Sequence, residues 1–337
     1  MRRPTRRRAR AWALAAVLAG GLALELAGRQ QGLHEPVIYE PTAYGYRVMP
    51  NQDLIRFENR SSYNAQGLRS EAISIVPEEG TLRVLCLGDS VTNGGAITDQ
   101  VDTYPYQLQA LLKGRFGKVE VLNASAPGWA VSNELGWLRA NGTFGSHYVV
   151  IALSTHDLFQ ERAPSLIVGS HQSFPGTRPH LAVQDVLQRY LVPMFLETVG
   201  LSSKAGADPG VADHNYSEAQ AARNRAEVLL IEGIVREQGG RLVVMFLDEP
   251  MPPHSVAIAH MATTAMFNEM SRSSVPVLTL RAELAHFERG ELFRDAVHPN
   301  PVGNRVIAGV IARHISGAAS IPNDAGHSSK VPVAVGR

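Results

Sequence analysis

Apolar positions fall along the chain in three kinds of run. The first is AWALAAVLAGGLALELAG, residues 11–28, apolar except for Glu25 and preceded by MRRPTRRRAR. The second kind is short and continuous: Val84 to Leu87 running into Gly88, then 118–123 (KVEVLN), 147–153 (HYVVIAL), 241–247 (RLVVMFL) and 275–280 (VPVLTL). Such runs, bounded by turn residues, read as strands buried on both faces. The third kind recurs at helical spacing. Residues 102–116 place Leu108, Leu111, Leu112 and Phe116 on one face and stop at Gly117; a second helix is predicted over 131–141. Ser217 with Gln220 forms a capping-box start for a helix to about Gln238, closed by Gly239-Gly240. Asn300-Pro301 opens a last helix, to about Ile315. Strands that alternate with helices imply an α/β domain with a parallel sheet.

Three stretches stand outside that alternation. Residues 29–80 have scattered Pro, Tyr and Asn and no helical period, and read as an extended lead-in of short strands and turns. Residues 159–215 form an insertion after the third strand: a loop-like start, then VQDVLQRYLVPMFLETV, 183–199, a predicted helix broken at Pro193. Leaving the end of that strand, the insertion is expected either to hang over a site as a lid or acceptor platform, or to be a solvent-facing decoration. The final stretch, 317–337, is rich in Gly, Ser, Pro and Ala and reads as a disordered tail.

Charge changes the picture at one end only. The formal net charge of +1 becomes −5 once the six arginines among the first ten residues are set aside. The folded part is therefore not expected to bind nucleic acid. A basic start followed by an apolar run is an export signal or a membrane anchor. Its length is marginal against the roughly 17–25 residues that span a bilayer. Small residues do not fall well for cleavage around Ala27 or Gly28, which favours an uncleaved signal anchor over residues 1–28. The positive-inside rule then leaves the arginines in the cytoplasm of a bacterium and the rest outside, periplasmic or secreted if the signal is cleaved. The single cysteine, Cys86, excludes an intramolecular disulfide and falls inside the first predicted strand.

Candidate chemistry begins at Gly-Asp-Ser, residues 88–90, where Ser90 stands at the carboxyl end of that strand. Ligands of open α/β sheets bind outside the carboxyl ends of strands. A serine needs a base to take its proton. Asp295-Ala296-Val297-His298-Pro299-Asn300 offers one, because an Asp three residues before a His can orient the ring toward the serine. The chain has no GxxxxGK[ST], GxGxxG or GxSxG, so neither a phosphate cradle nor the nucleophile elbow of α/β-hydrolases is supported. His254 and His260, six apart, suit no shared helical face. No metal or cofactor is expected.

GDSVT at 88–92 together with DAVHPN at 295–300 resembles the GDSL, or SGNH, family of serine esterases and acyltransferases, over roughly residues 81–316. The resemblance implies a three-layer α/β/α sandwich with a five-stranded, mainly parallel, flavodoxin-like sheet. It implies Ser90 as nucleophile, His298 as base and Asp295 as its partner. It also implies an oxyanion hole from the Ser90 amide, the amide of Gly128 in APGW, and a side chain after the third strand. There the family usually has Gly-x-Asn-Asp, whereas this chain reads Ser154-Thr155-His156-Asp157. His156 can donate a ring N–H in place of the amide, with Asp89 and Asp157 as supporting carboxylates. Asn64, Gly67 and Arg69 match an N-x-x-G-x-R lead-in of bacterial relatives, expected to pack across the sheet edge. The implied function is an extracytoplasmic esterase removing acyl groups, chiefly acetyl, from carbohydrate. A polysaccharide O-acyltransferase using the same triad is the alternative. The departure at His156 leaves open a silent carbohydrate-binding scaffold.

Overall fold

The computed structural model describes residues 6–199 and 216–318. The N-terminal apolar run lies within one helix, α1 (Arg6–Gln30). The lead-in forms two antiparallel hairpins, β1 (Tyr39–Thr42) with β2 (Gly45–Val48) and β3 (Gln52–Arg56) with β4 (Asn59–Tyr63). The first hairpin packs where it matters. Tyr46 donates its hydroxyl to the Pro127 carbonyl (2.5 Å), and Trp129 Nε1 donates to the Tyr46 carbonyl (2.9 Å), so it braces both flanks of Gly128.

The expected lead-in motif also has a firmer task than edge packing. The Arg69 amide does meet the sheet edge, donating to the Asn123 carbonyl at 3.0 Å. Its buried guanidinium, however, donates to the carbonyls of Asn93 (2.6 Å), Gly95 (2.8 Å) and Thr98 (2.8 Å). It thereby clamps the loop that follows Ser90. Arg69→Met leaves those carbonyls without their donor and is expected to cost roughly 3 kcal/mol, measurable by denaturant unfolding. A change of a few tenths would refute the clamp.

The sandwich follows. In chain order come β5 (Leu82–Gly88), α2 (Ser90–Asn93), α3 (Tyr104–Phe116), β6 (Val119–Ser125), α4 (Val131–Asn141), β7 (Tyr148–Ser154), α5 (Ala182–Val186) and α6 (Val192–Thr198). Then come α7 (Glu218–Glu237), β8 (Arg241–Leu247), α8 (Val256–Arg272), β9 (Val277–Thr279), α9 (Arg289–Leu292) and α10 (Pro301–Ala318). The sheet is parallel throughout, in the order β6-β5-β7-β8-β9, so the three-layer, five-stranded flavodoxin-like expectation holds. Its four longer strands are buried on both faces because alternate residues feed two cores. Leu85 and Leu87 join α4, α7 and α8 on one side, while Val84 and Cys86 join α3 and α10 on the other. Cys86 is core packing, and burial pushes its thiol well up.

Three local departures have physical causes. Helix α8 has no counterpart in the sequence reading. Its start sits behind Pro250, Pro252 and Pro253, which break the pattern after the fourth strand, and its buried face is Ala259, Ala262, Met266 and Met270. Pro193 does not break its helix. A π-helical turn, Leu187–Leu191, connects α5 to α6, and such a wide turn accommodates the missing N–H and ring of a proline. The fifth strand shortens to Val277–Thr279, as an edge with one partner. The expected tail lies almost wholly outside the described residues, and α10 runs on to Ala318.

Candidate active site

Strand β5 ends at Gly88, where the chain turns so sharply that a Cβ would lie 2.1 Å from Thr92 Oγ1. Only glycine fits there. Asp89 then caps α2, its Oδ1 accepting from the Val91 amide at 2.9 Å, which leaves Ser90 as the first residue of a helix at the sheet's carboxyl edge. Asn93 at the other end of α2 donates to the Ser125 carbonyl (3.2 Å), tying the turn to β6.

His298 arrives from the opposite end of the chain. Its Nε2 lies 2.9 Å from Ser90 Oγ, and its Nδ1 lies 2.9 Å from Asp295 Oδ2. The three residues expected to act together are therefore one connected chain of hydrogen bonds. Asp295 Oδ1 accepts from the amides of Val297 (2.8 Å) and His298 (2.7 Å). Partial burial alone would raise the Asp295 pKa; those amides and the His298 ring outweigh it and hold the carboxyl below its ordinary value. Arg289 fastens this loop, donating to the carbonyls of Asp248 (2.7 Å) and Ala296 (2.5 Å). Asp295 and His298 remain open to solvent on one side, with side chains 55% and 36% exposed.

Gly128 adopts φ +74°, the left-handed region that favours glycine. Its carbonyl is taken by Gln160 Nε2 at 3.0 Å. The amides of Ser90 and Gly128 donate to no protein acceptor among the described residues. A cavity of about 120 Å³ opens beside Ser90 and His298, lined further by Val91, Ile97, Pro127 and Arg294. No described residue of the 159–215 insertion lines it.

His156 opens the turn after β7 and is buried. Its Nδ1 lies 2.7 Å from Glu249 Oε2, and its Nε2 lies 3.3 Å from Asp157 Oδ1 and 4.0 Å from Asp89 Oδ2. That same Asp89 oxygen lies 3.3 Å from Ser90 Oγ, so a single carboxylate oxygen separates His156 from Ser90. Burial on its own would lower the ring's pKa. Asp157, Glu249 and Asp89 together outweigh it and push it up to about 10. Asp157 is pushed up to about 7, chiefly by burial, with His156 opposing. It also anchors its loop, accepting from the Ser154 amide at 2.6 Å. Asp89, His156 and Asp157 bring ligand atoms within 4.8 Å of one another, a donor set a cation accepts, although the imidazolium already supplies positive charge there.

Glu249 is absent from the sequence reading. Its signal was available: Asp248-Glu249 follow directly on β8, at the carboxyl edge where ligands bind. What no pattern shows is that Glu249 faces a histidine from the neighbouring strand.

A model of the GDSL-like lipase/acylhydrolase family matches residues 86–306. No curated protein matches in a sequence comparison. Among solved structures, the chain is similar to a catalytic mutant of Axe2, an acetylxylan esterase from Geobacillus stearothermophilus. That match has 14% identity over 69% of this chain and 94% of that one, with a TM-score of 0.43. It is similar to LAE5, an alpha/beta hydrolase from the metagenome of Lake Arreo, at 14% identity over 73% and 99%, TM-score 0.44. It is also similar to a GDSL-like lipase from Bacteroides thetaiotaomicron, at 12% identity over 72% and 92%, TM-score 0.43.

Proposed function

The chain belongs to the GDSL-like lipase/acylhydrolase family and is an ester-bond hydrolase, and from that premise we propose that Ser90, His298 and Asp295 remove short acyl groups, acetyl above all, from carbohydrate outside the cytoplasm. The observation that carries this reading is the continuous 2.9 Å and 2.9 Å relay from Ser90 Oγ through His298 to Asp295. In the first step Ser90 Oγ bonds to the acyl carbon as His298 Nε2 takes its proton. Asp295 stabilises the resulting imidazolium. The tetrahedral oxyanion is held by the Ser90 and Gly128 amides; His156, whose Nε2 faces Asp157 at 3.3 Å and Asp89 at 4.0 Å, is proposed as the third donor. Collapse breaks the bond to the alcohol, which leaves with the proton from His298. Water, deprotonated by the same ring, then releases the acid and restores Ser90.

The cavity beside Ser90, about 120 Å³, is well below the roughly 300–1,000 Å³ of drug-sized ligand pockets, which suits a short acyl group. A sugar hydroxyl in place of water makes the same acyl-enzyme a transferase. Incubation with an acetyl aryl ester, with and without oligosaccharide, followed by mass spectrometry of enzyme and sugar, tests the proposal. Released acetate supports the esterase, acetylated sugar supports the transferase, and an inert protein supports the scaffold.

Location follows from α1. Residues 10–30 are long and apolar enough to cross a membrane, with a mean hydropathy of 1.7. The end of that helix is also part of the fold. Glu25 accepts from the amides of Ala182 and Val183, at 3.1 Å each, and a Cβ on Gly28 would lie 2.7 Å from Ala182 Cβ. Cleavage near residue 28 would remove both contacts, which favours the uncleaved anchor. The purified cellular protein is expected to retain its N-terminal arginines and to fractionate with membranes. A soluble form beginning near residue 29 would overturn the anchor and leave export standing.

A further inference from the structure

The described part of the insertion carries an exposed apolar stripe. Leu187, Tyr190, Leu191, Met194 and Phe195 are 46%, 44%, 44%, 58% and 62% exposed, and Val192, Leu196 and Val199 widen the apolar surface beyond one helical face at 48%, 36% and 46%. Soluble surfaces rarely leave so many large apolar side chains together. The acidic residue at the start of this helix does not break the stripe, because Asp185 turns inward to Arg56, 2.7 Å away and buried with it.

The position of the stripe identifies what covers it. Glu25 receives the first amides of α5, and Arg29 Nη2 donates to the His180 carbonyl at 2.8 Å. The start of the insertion helix is thus fixed to the C-terminal end of α1, where the apolar run of α1 finishes. Arg56 also donates to the Gly32 carbonyl at 3.0 Å, so the hairpin, the exit of α1 and α5 form one joint. The packing of α1 is concentrated on α5, and α6 carries the stripe onward from there.

We propose that residues 186–199 are a membrane-interface seat, lying in the boundary between headgroups and acyl chains of the bilayer that α1 crosses. The inference rests on the anchor reading above and adds a second point of contact. A helix with an apolar stripe and aromatic residues suits that boundary. On this view the described insertion neither covers the active-site mouth nor decorates the surface; it sets the domain's attitude to the membrane.

The test uses the full chain, purified in detergent and reconstituted into phosphatidylethanolamine/phosphatidylglycerol vesicles containing a nitroxide-labelled phospholipid. Cys86 is buried, so a single introduced cysteine takes the fluorophore. Phe195→Cys, labelled with an environment-sensitive dye, should show a blue shift and quenching by a shallow nitroxide. Leu18→Cys, in α1, should be quenched by a deep one. Adding Leu191→Asp and Met194→Asp to Phe195→Cys should return its emission to that of water with the thermal midpoint unchanged. Quenching at residue 18 with water-like emission at 195 overturns the seat and leaves the anchor intact. Absence of quenching at both positions overturns the anchor, and the seat with it. A blue shift at 195 without lipid quenching overturns the seat in favour of a protein partner, such as a second copy.

Discussion

Ser90→Ala is expected to abolish ester cleavage, lowering turnover at least about a thousandfold, while the fold survives. The loss is large because the hydroxyl supplies both the bond to the acyl carbon and the proton His298 receives. The fold survives because the turn is held by other groups: the bar to any side chain at Gly88, the Asp89 cap and the Asn93 tie to β6. Removing one oxygen disturbs none of them. Turnover with an acetyl aryl ester and the thermal midpoint of both proteins check this. A variant that keeps most of its activity would remove Ser90 from the chemistry.

The second large effect belongs to His156. If its ring completes the oxyanion hole, His156→Ala should lose roughly 3–4 kcal/mol of transition-state stabilisation, in turnover rather than in substrate binding. The carboxylates around the ring change what replacement by asparagine does. From the loop alone an asparagine in this place looks equivalent, yet it leaves Glu249 and Asp157 facing a neutral amide. Breaking a buried pair on one side costs roughly 3–5 kcal/mol. His156→Asn should therefore fold poorly by itself, and adding Glu249→Gln should restore most of the thermal midpoint and bring turnover within about tenfold of wild type, the small residue of a donor swap against the loss of one donor. Equal turnover in wild type and His156→Ala would exclude the ring from the hole.

The same cluster sets a pH dependence. With Nδ1 donating to the Glu249 carboxylate, only the imidazolium also carries a proton on Nε2. Because the folded pKa is raised to about 10 from an ordinary 6.5, its stabilisation is fully present below 6.5 and lost as pH rises through about 10. Turnover should fall through the same upper value. The double variant, His156→Asn with Glu249→Gln, should show neither loss of turnover nor loss of stability from this group. An unchanged alkaline profile in both proteins would mean that the ring's charge has no part in the reaction.

The candidate site was more legible in the sequence than its surroundings. Ser90, His298 and Asp295 could be read because each is fixed by its immediate neighbours: an Asp caps the helix that Ser90 opens, and an Asp three residues back holds His298. The four longer strands could be read for a similar reason, as continuous apolar runs between turns. Pairings across the fold could not. Glu249 meets His156 from another strand, and Glu25, which looked like an imperfection in an apolar run, serves a helix far along the chain. Arg69 stood out as part of a motif, but its bonds to the carbonyls of Asn93, Gly95 and Thr98 follow from the path of a loop. Local chemistry is written in short stretches, and tertiary partners are not.

The most direct measurement maps the covalent intermediate. Wild type and Ser90→Ala would be treated with a fluorophosphonate ester, a reagent for activated serines, and digested with trypsin. Ser90 lies in the peptide Val84–Lys113, which can be sequenced by tandem mass spectrometry. The account predicts one adduct, on Ser90, formed in step with the loss of esterase activity and absent from the variant. Loss of activity with the adduct on another residue, or an adduct that forms equally in Ser90→Ala, would contradict it.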